Sequence, residues 1–220
     1  MAQVATASRY SVREEIANSV THGLGALMAS GGLALLVNLA ASRGDVWHIV
    51  SCTIFGVTLV MLYLASTLYH SIPSPRAKSA LRVFDHSAIF LLIAGTYTPF
   101  ALVSLRGPWG WSLFGVLWGL AVVGIAFKIA LLDRWASLSV VLFVAMGWTV
   151  VVAIKPMLAA VEPGGLWLLL LGGLAYTGGI GFYLWRRLPY HHAIWHLFVL
   201  AGSVLHFLAV VLYVIPRAAV

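Results

Sequence analysis

Apolar residues along this chain do not alternate with the period of two that marks a half-buried strand. They come in long uninterrupted runs. Seven runs, at approximately residues 21–41, 47–69, 87–104, 109–132, 136–154, 165–185 and 193–214, approach the ~20 residues an α-helix needs to cross hydrocarbon. Polar breaks rich in turn formers separate them: Ser42-Arg43-Gly44, Pro73-Ser74-Pro75, Arg106-Gly107-Pro108, Asp133-Arg134, Glu162-Pro163-Gly164 and Arg186 to Pro189. The pattern predicts an all-α membrane protein, a seven-transmembrane helix bundle occupying residues 21–215 as one domain.

Residues 1–20 read differently. Ser11 and Glu14 have capping-box spacing. Val12, Ile16 and Val20 form one stripe, while Glu15, Asn18 and His22 share another face. The expected element is a short amphipathic helix at the membrane surface, leading into the first span. The first apolar run exceeds the ~7–15 residues of a signal-peptide core, so it reads as a span.

Composition sharpens this picture. The chain of 220 residues is 62% hydrophobic and 9% charged, with a mean hydropathy of +1.00. Soluble domains carry roughly 25% charged residues, so too few charges are present to coat a water-facing surface. An aromatic content of 12% argues equally against disorder. Cys52, the single cysteine, excludes a disulfide framework or thiolate cluster. The net charge of +7 comes from 13 scattered basic residues against 6 acidic ones, with no run that would make a nucleic-acid patch.

The distribution of charge predicts orientation. Arg9, Arg13, Arg76, Lys78, Arg82, Lys128, Arg134, Arg186 and Arg187 fall on one side, and Arg43, Arg106, Lys155 and Arg217 on the other. By the positive-inside rule the N-terminus is cytoplasmic and the C-terminus outside, in a multi-pass protein of the cell (plasma or inner) membrane. Trp47, Trp109, Trp111 and Trp167 would anchor the outer interface; Trp185 and Trp195 would anchor the inner one.

Ionisable groups at the ends of spans are functional candidates, because hydrocarbon disfavours them strongly. His22 begins the first span, His70 ends the second, Asp85 begins the third, and His192 and His196 begin the seventh. In this topology all five lie at one cytoplasmic depth. His192 and His196 are four apart, so a helix presents both imidazoles from one face, a spacing that can serve one metal. His70 could supply a third nitrogen. Three protein ligands with one open position is the catalytic zinc pattern. Asp85 is a carboxylate at the same level, able to take a proton from a water, and Ser66 lies one turn deeper than His70, able to orient a ligand or touch a substrate carbonyl. A direct criterion follows: nitrogens more than about 5 Å apart could not share one ion at ~2.0–2.1 Å.

Other polar residues have structural readings. His48 and His86 read as interfacial, His191 as a surface or supporting residue, and His206 as an interhelical hydrogen-bonding group. Cys52 reads as packing. Pro99 is expected to kink the third span, with Thr or Tyr hydroxyls meeting the freed carbonyls. Gly172, Gly173, Ala175, Gly178, Gly179 and Gly181 give the sixth span a small-residue face.

Glu15-x-x-Asn18-x-x-x-His22, Ser66-x-x-x-His70, the run Asp85-His86-Ser87-Ala88-Ile89-Phe90 through Gly95-Thr96-Tyr97-Thr98-Pro99, and His192-x-x-x-His196 occur in one order across nearly the whole chain. In these motifs the sequence resembles the progestin and adipoQ receptor family, specifically its bacterial hemolysin III branch. The resemblance implies a Zn2+ site of His70, His192 and His196 with Asp85 linked through water, and again an inside N-terminus. The wider group includes adiponectin receptors and alkaline ceramidases, which implies hydrolysis of an amide-linked membrane lipid. Glu15, Asn18 and His22 would then support the site from behind the ligands. Two alternatives accompany this reading: a pore-forming, cytolytic protein, and a non-catalytic membrane-homeostasis sensor in which zinc is structural.

Overall fold

A computed structural model describes residues 10–131 and 136–216. Arg9, Asp133, Arg134 and Arg217 lie outside the described residues. Every regular element among the described residues is helical.

Helix α1 (Val12–Arg43) opens on a capping box. The Ser11 hydroxyl accepts the Glu14 amide, and the Glu14 carboxylate accepts the Ser11 amide at 2.9 Å. From there it runs 32 residues without a break. The polar leader and the first span, expected as two elements, are therefore one helix. No Gly or Pro between Val12 and Thr21 interrupts it, so the hydrogen-bond ladder carries straight through.

Helix α2 (Val46–Ser71) is capped by the Asp45 carboxylate, which accepts the Trp47 and His48 amides. Helix α3 (Pro75–Pro99) begins a dozen residues before the apolar run suggested. The window of hydrophobicity misses its first turns because Arg76, Lys78 and Arg82 are polar, yet such residues are good helix formers. Pro99 is followed by a π-helical turn, Phe100–Ser104, so the helix widens there. The Thr96 and Thr98 hydroxyls donate to the Leu92 and Ala94 carbonyls at 2.7 and 2.8 Å.

Helix α4 (Pro108–Leu131) precedes a broken crossing. Here α5 (Ala136–Gly147), a 3-10 turn (Thr149–Val151) and α6 (Ile154–Ala160) replace the straight span expected at 136–154. The axis bends by 55°. Pro156 explains the break: it has no N–H for the carbonyl four residues earlier and restricts its predecessor. Bare backbone groups in hydrocarbon need a partner. Tyr97 supplies one, its hydroxyl donating to the Gly147 carbonyl at 2.6 Å and accepting the Val150 amide at 3.0 Å. Helices α7 (Pro163–Leu184) and α8 (His191–Tyr213) complete the chain. Among the described residues, six unbroken helices are long and apolar enough to span a membrane, and the bent pair makes up to seven.

Neighbours in sequence pack as neighbours in space: α1 on α2, α2 on α3, α3 on α4 and α7 on α8, with α8 returning against α1. Helices α2 and α3 are the most enclosed, whereas Leu27, Val122, Val123, Val152 and Leu158 stand exposed around the outside. Apolar surface of that extent is stable only against lipid. Ser203 of α8 ties the interior together, receiving the Tyr63 hydroxyl of α2 at 2.7 Å and lying 2.8 Å from that of Tyr176 on α7. Of the expected small-residue face, Gly172 and Gly179 meet α8 directly; a methyl group at either would run into His206 or Phe198. Gly165 adds a third position at the same seven-residue step, against Tyr213. Gly181 faces open space. Cys52 is fully buried, as a packing residue should be.

Tyr97→Phe removes both hydroxyl contacts at the bend. We expect a loss of about 1–2 kcal/mol in reversible unfolding from detergent, with Gly181→Ala neutral under the same conditions.

Candidate metal centre

Three helices bring the site together. On α1, Glu15, Asn18 and His22 repeat at helical spacing on one face, and Asn18 and His22 are fully buried against α2 and α8. His70 is in the last turn of α2, and His192 and His196 are in the first turns of α8. Tyr190, with φ of 57°, adopts the left-handed conformation that turns the chain into α8. Asp85 lies within α3, since that helix begins at Pro75.

His70, His192 and His196 are buried and offer nitrogens that all lie within 4.8 Å of one another, inside the limit set by the sequence argument. The three rings are 4.5 to 5.3 Å apart, centroid to centroid. No other combination of described residues forms such a group.

Their hydrogen bonding is one-sided. The Nδ1 of His70 lies 2.6 Å from the Glu15 carboxylate, and that of His196 lies 3.2 Å from the Asn18 carbonyl and 3.1 Å from the Thr21 hydroxyl. Each Nε2 of these two rings, and both nitrogens of His192, are buried without a hydrogen-bond partner. An orphaned imidazole nitrogen is costly in a protein interior. Several orphans converging on one point fit a bound cation, with the far nitrogens held by oxygen acceptors as metal-ligating histidines generally are. The residues present therefore fit a metal ion.

A second ring of contacts surrounds the triad. Lys78 binds the other Glu15 oxygen at 2.7 Å and donates to the Tyr69 carbonyl at 3.0 Å, anchoring the carboxylate that holds His70. His22 stacks on His196 at 3.4 Å and 11°. Tyr10 covers the cluster, its ring 5.0 Å from His192 and 5.9 Å from His70. Asp85 neighbours His70 and the buried Ser66. His191 is buried beside the Phe182 carbonyl at 3.2 Å, and His206 bonds the Leu169 carbonyl of α7 at 3.1 Å.

Sequence reasoning did not single out Tyr10, Thr21 or Lys78 for the site. Thr21 follows Asn18 by three on the same helix, so spacing could have suggested it. Lys78 is 63 positions from Glu15, and nothing local announces that pair.

From the cluster an apolar cavity of about 150 Å³ extends into the bundle. His22, Asp85, His86 and His192 border one end, and Tyr176, Trp148 and His206 also line it. Its walls come from α3, α5, α7 and α8 among others. Among the described residues, helix α5 makes few contacts with α7; a hydrogen bond from the Trp148 indole to Thr177, 3.0 Å long, spans that seam.

Residues 10–207 match the family described as Haemolysin-III related. The chain belongs to the haemolysin III family. It is 48% identical over 207 residues to Hemolysin-3 of Bacillus cereus, covering 94% of each chain. It is 48% identical over 204 residues to the Hemolysin-3 homolog of Bacillus subtilis, covering 93% of this chain and 96% of that one. A more distant relative is the human Monocyte to macrophage differentiation factor, 28% identical over 205 residues, 90% and 83% of the two chains. The match runs through both helices that carry the triad, α2 and α8, and through α1, which supports it.

Glu15→Gln keeps the shape of the side chain and removes its charge. We expect divalent-metal affinity to fall roughly 10- to 100-fold in a chelator competition, while His48→Ala, at the opposite end of α2, leaves it unchanged.

Proposed function

We propose that this protein is a membrane-embedded zinc hydrolase that cleaves an amide-linked lipid at the cytoplasmic headgroup level. The observation that carries the reading is the buried histidine triad with unpaired nitrogens, next to a carboxylate, with His192 also lining an apolar cavity. Three imidazoles, two of them backed by a carboxylate and a carbonyl, suit a borderline-soft cation such as zinc. A zinc ion held by His70, His192 and His196 would supply Lewis acidity for attack on a carbonyl.

The chain's own residues account for the rest. Asp85 is the general base: it takes a proton from the attacking water and returns it to the departing amine. Ser66, beside Asp85, orients the carbonyl or the water. Glu15 and Asn18 hold the His70 and His196 rings so that their Nε2 atoms face inward, and His22 buttresses His196. Acyl chains enter between α5 and α7 and lie in the cavity, which excludes water from all but its polar end. Arg13, Arg76, Lys78, Arg82, Arg186 and Arg187 cluster at the triad end, against Arg43, Arg106 and Lys155 at the other, which supports a cytoplasmic N-terminus.

A purely structural zinc normally takes four protein ligands. The group able to share one ion contains three, and Asp85 is not part of it, which favours an open position. A pore would need polar lining through the bilayer, whereas the cavity is bordered mainly by Leu, Ile, Val and aromatic side chains.

Purified protein should hold about one zinc per chain, and replacing His70, His192 or His196 with Ala should abolish it; unchanged stoichiometry overturns the proposal. Asp85→Asn should retain the metal and lose about 10²- to 10⁴-fold of lipid amidase activity, read by mass spectrometry of released fatty acid. Wild-type rates in that variant would remove Asp85 from the mechanism.

A further inference from the structure

The end of the bundle that carries the triad holds a second polar feature, with no part in the chemistry above. A cleft opens between the start of α1 and the turn that joins α7 to α8. Arg13 and Glu14 line one side of it, and Arg186, Arg187 and Tyr190 line the other. The Glu14 carboxylate ties the two sides together. One of its oxygens accepts the Ser11 amide and hydroxyl at 2.9 and 2.8 Å, and the other accepts the Tyr190 amide at 3.2 Å. Glu14 is thereby committed to the helix cap and to the turn that leads into α8. Among the described residues, the guanidinium groups of Arg13, Arg186 and Arg187 make no ion pair or hydrogen bond, and all three residues are exposed. Three cations facing one committed carboxylate leave the cleft positively charged.

The surroundings of the cleft are apolar. Leu184 and Trp185, at the end of α7 and just before Arg186, are each 56% exposed, and Val12, beside Arg13, is 77% exposed. Tryptophan favours the boundary between hydrocarbon and headgroups, so the three guanidinium groups belong at headgroup depth. Arginine presents a planar fork that can meet two phosphate oxygens at once. Basic pockets between spans at one face of a membrane suit anionic lipid headgroups. A phosphate ion from water would use the guanidinium groups alone, whereas a lipid would also use the apolar flanks.

We propose that Arg13, Arg186 and Arg187 form a binding site for the headgroup phosphate of an anionic membrane lipid. The arginines take the phosphate from both sides of the cleft, and the acyl chains lie outside the bundle against its apolar flanks. This lipid is distinct from any occupant of the interior cavity. It bridges α1 to the turn before His192, and so reinforces the contact that Glu14 makes with Tyr190. The site requires neither a metal ion nor catalysis, and it stands whether or not the protein is a hydrolase.

Native mass spectrometry of the full-length protein in detergent reads the affinity of the first bound lipid. The probes are dioleoylphosphatidylglycerol and, as the zwitterionic control, dioleoylphosphatidylcholine, with inorganic phosphate as competitor. Phosphatidylglycerol should bind roughly 10- to 100-fold more tightly than phosphatidylcholine. Arg13→Gln, Arg186→Gln and Arg187→Gln should each weaken phosphatidylglycerol about fivefold and leave phosphatidylcholine unaltered, and the triple variant should erase the preference. Arg76→Gln, exposed at the same end but outside the cleft, and Arg43→Gln, at the opposite end, should change nothing.

A preference that survives the triple variant overturns the site, and would mean that the triad or its metal draws the anion instead. Equal losses from Arg76→Gln and Arg186→Gln also overturn it, because the attraction would then come from the diffuse charge of that end. Displacement of the lipid by an equal concentration of inorganic phosphate overturns the assignment to a lipid.

Discussion

Hydrocarbon offers no hydrogen bonds, so every polar atom inside this bundle must find its partner within the protein. The contact between Glu15 and His70 is where that constraint organises the molecule. It joins the start of α1 to the end of α2, and Asn18, three residues on, extends the same face to both His70 and His196. The outward nitrogens of two histidines are thereby occupied. Their inward nitrogens are left to meet near His192, and the geometry of the triad is a by-product of how α1, α2 and α8 pack.

The same rule governs the places where the helices are irregular. Pro156 breaks the fifth crossing, and the Tyr97 hydroxyl of α3 takes up the backbone that is freed. Ser203 performs a comparable task between α2, α7 and α8. In each case one hydroxyl serves two groups, which lets the interior stay almost wholly apolar. Glycine spacing then lets α7 lie close enough to α8 for His206 to reach a carbonyl across the interface. Packing is densest between α1 and α2, α2 and α3, and α7 and α8, and sparser around α5.

Much of this was legible in the sequence because membrane helices announce themselves by length and composition. The seven crossings, the role of Cys52 and the partner type of His206 all follow from position within apolar runs. The convergence of His70, His192 and His196 could be anticipated because topology fixes depth, and residues at equal depth in a small bundle are near one another. Hydropathy could not find where α3 begins in polar sequence, which is why it starts earlier than its apolar run implies, whereas the capping box marked the start of α1 and only its continuity into the first span was missed. Nor could hydropathy foresee that Lys128, counted among the interfacial cations, is buried in a cavity wall. Lateral position around a bundle is set by packing between distant segments, and Lys78 with Glu15 escaped for the same reason.

The continuity of α1 has a practical corollary for anyone shortening this chain to improve its expression. A cut placed at the apparent start of the membrane domain, around residue 21, would delete Glu15 and Asn18 along with a leader that looks dispensable. The truncated protein would keep every crossing and all three imidazoles, yet two of those rings would lose the anchors that aim them. Such a product would insert normally and be mistaken for the intact molecule by any assay of topology alone.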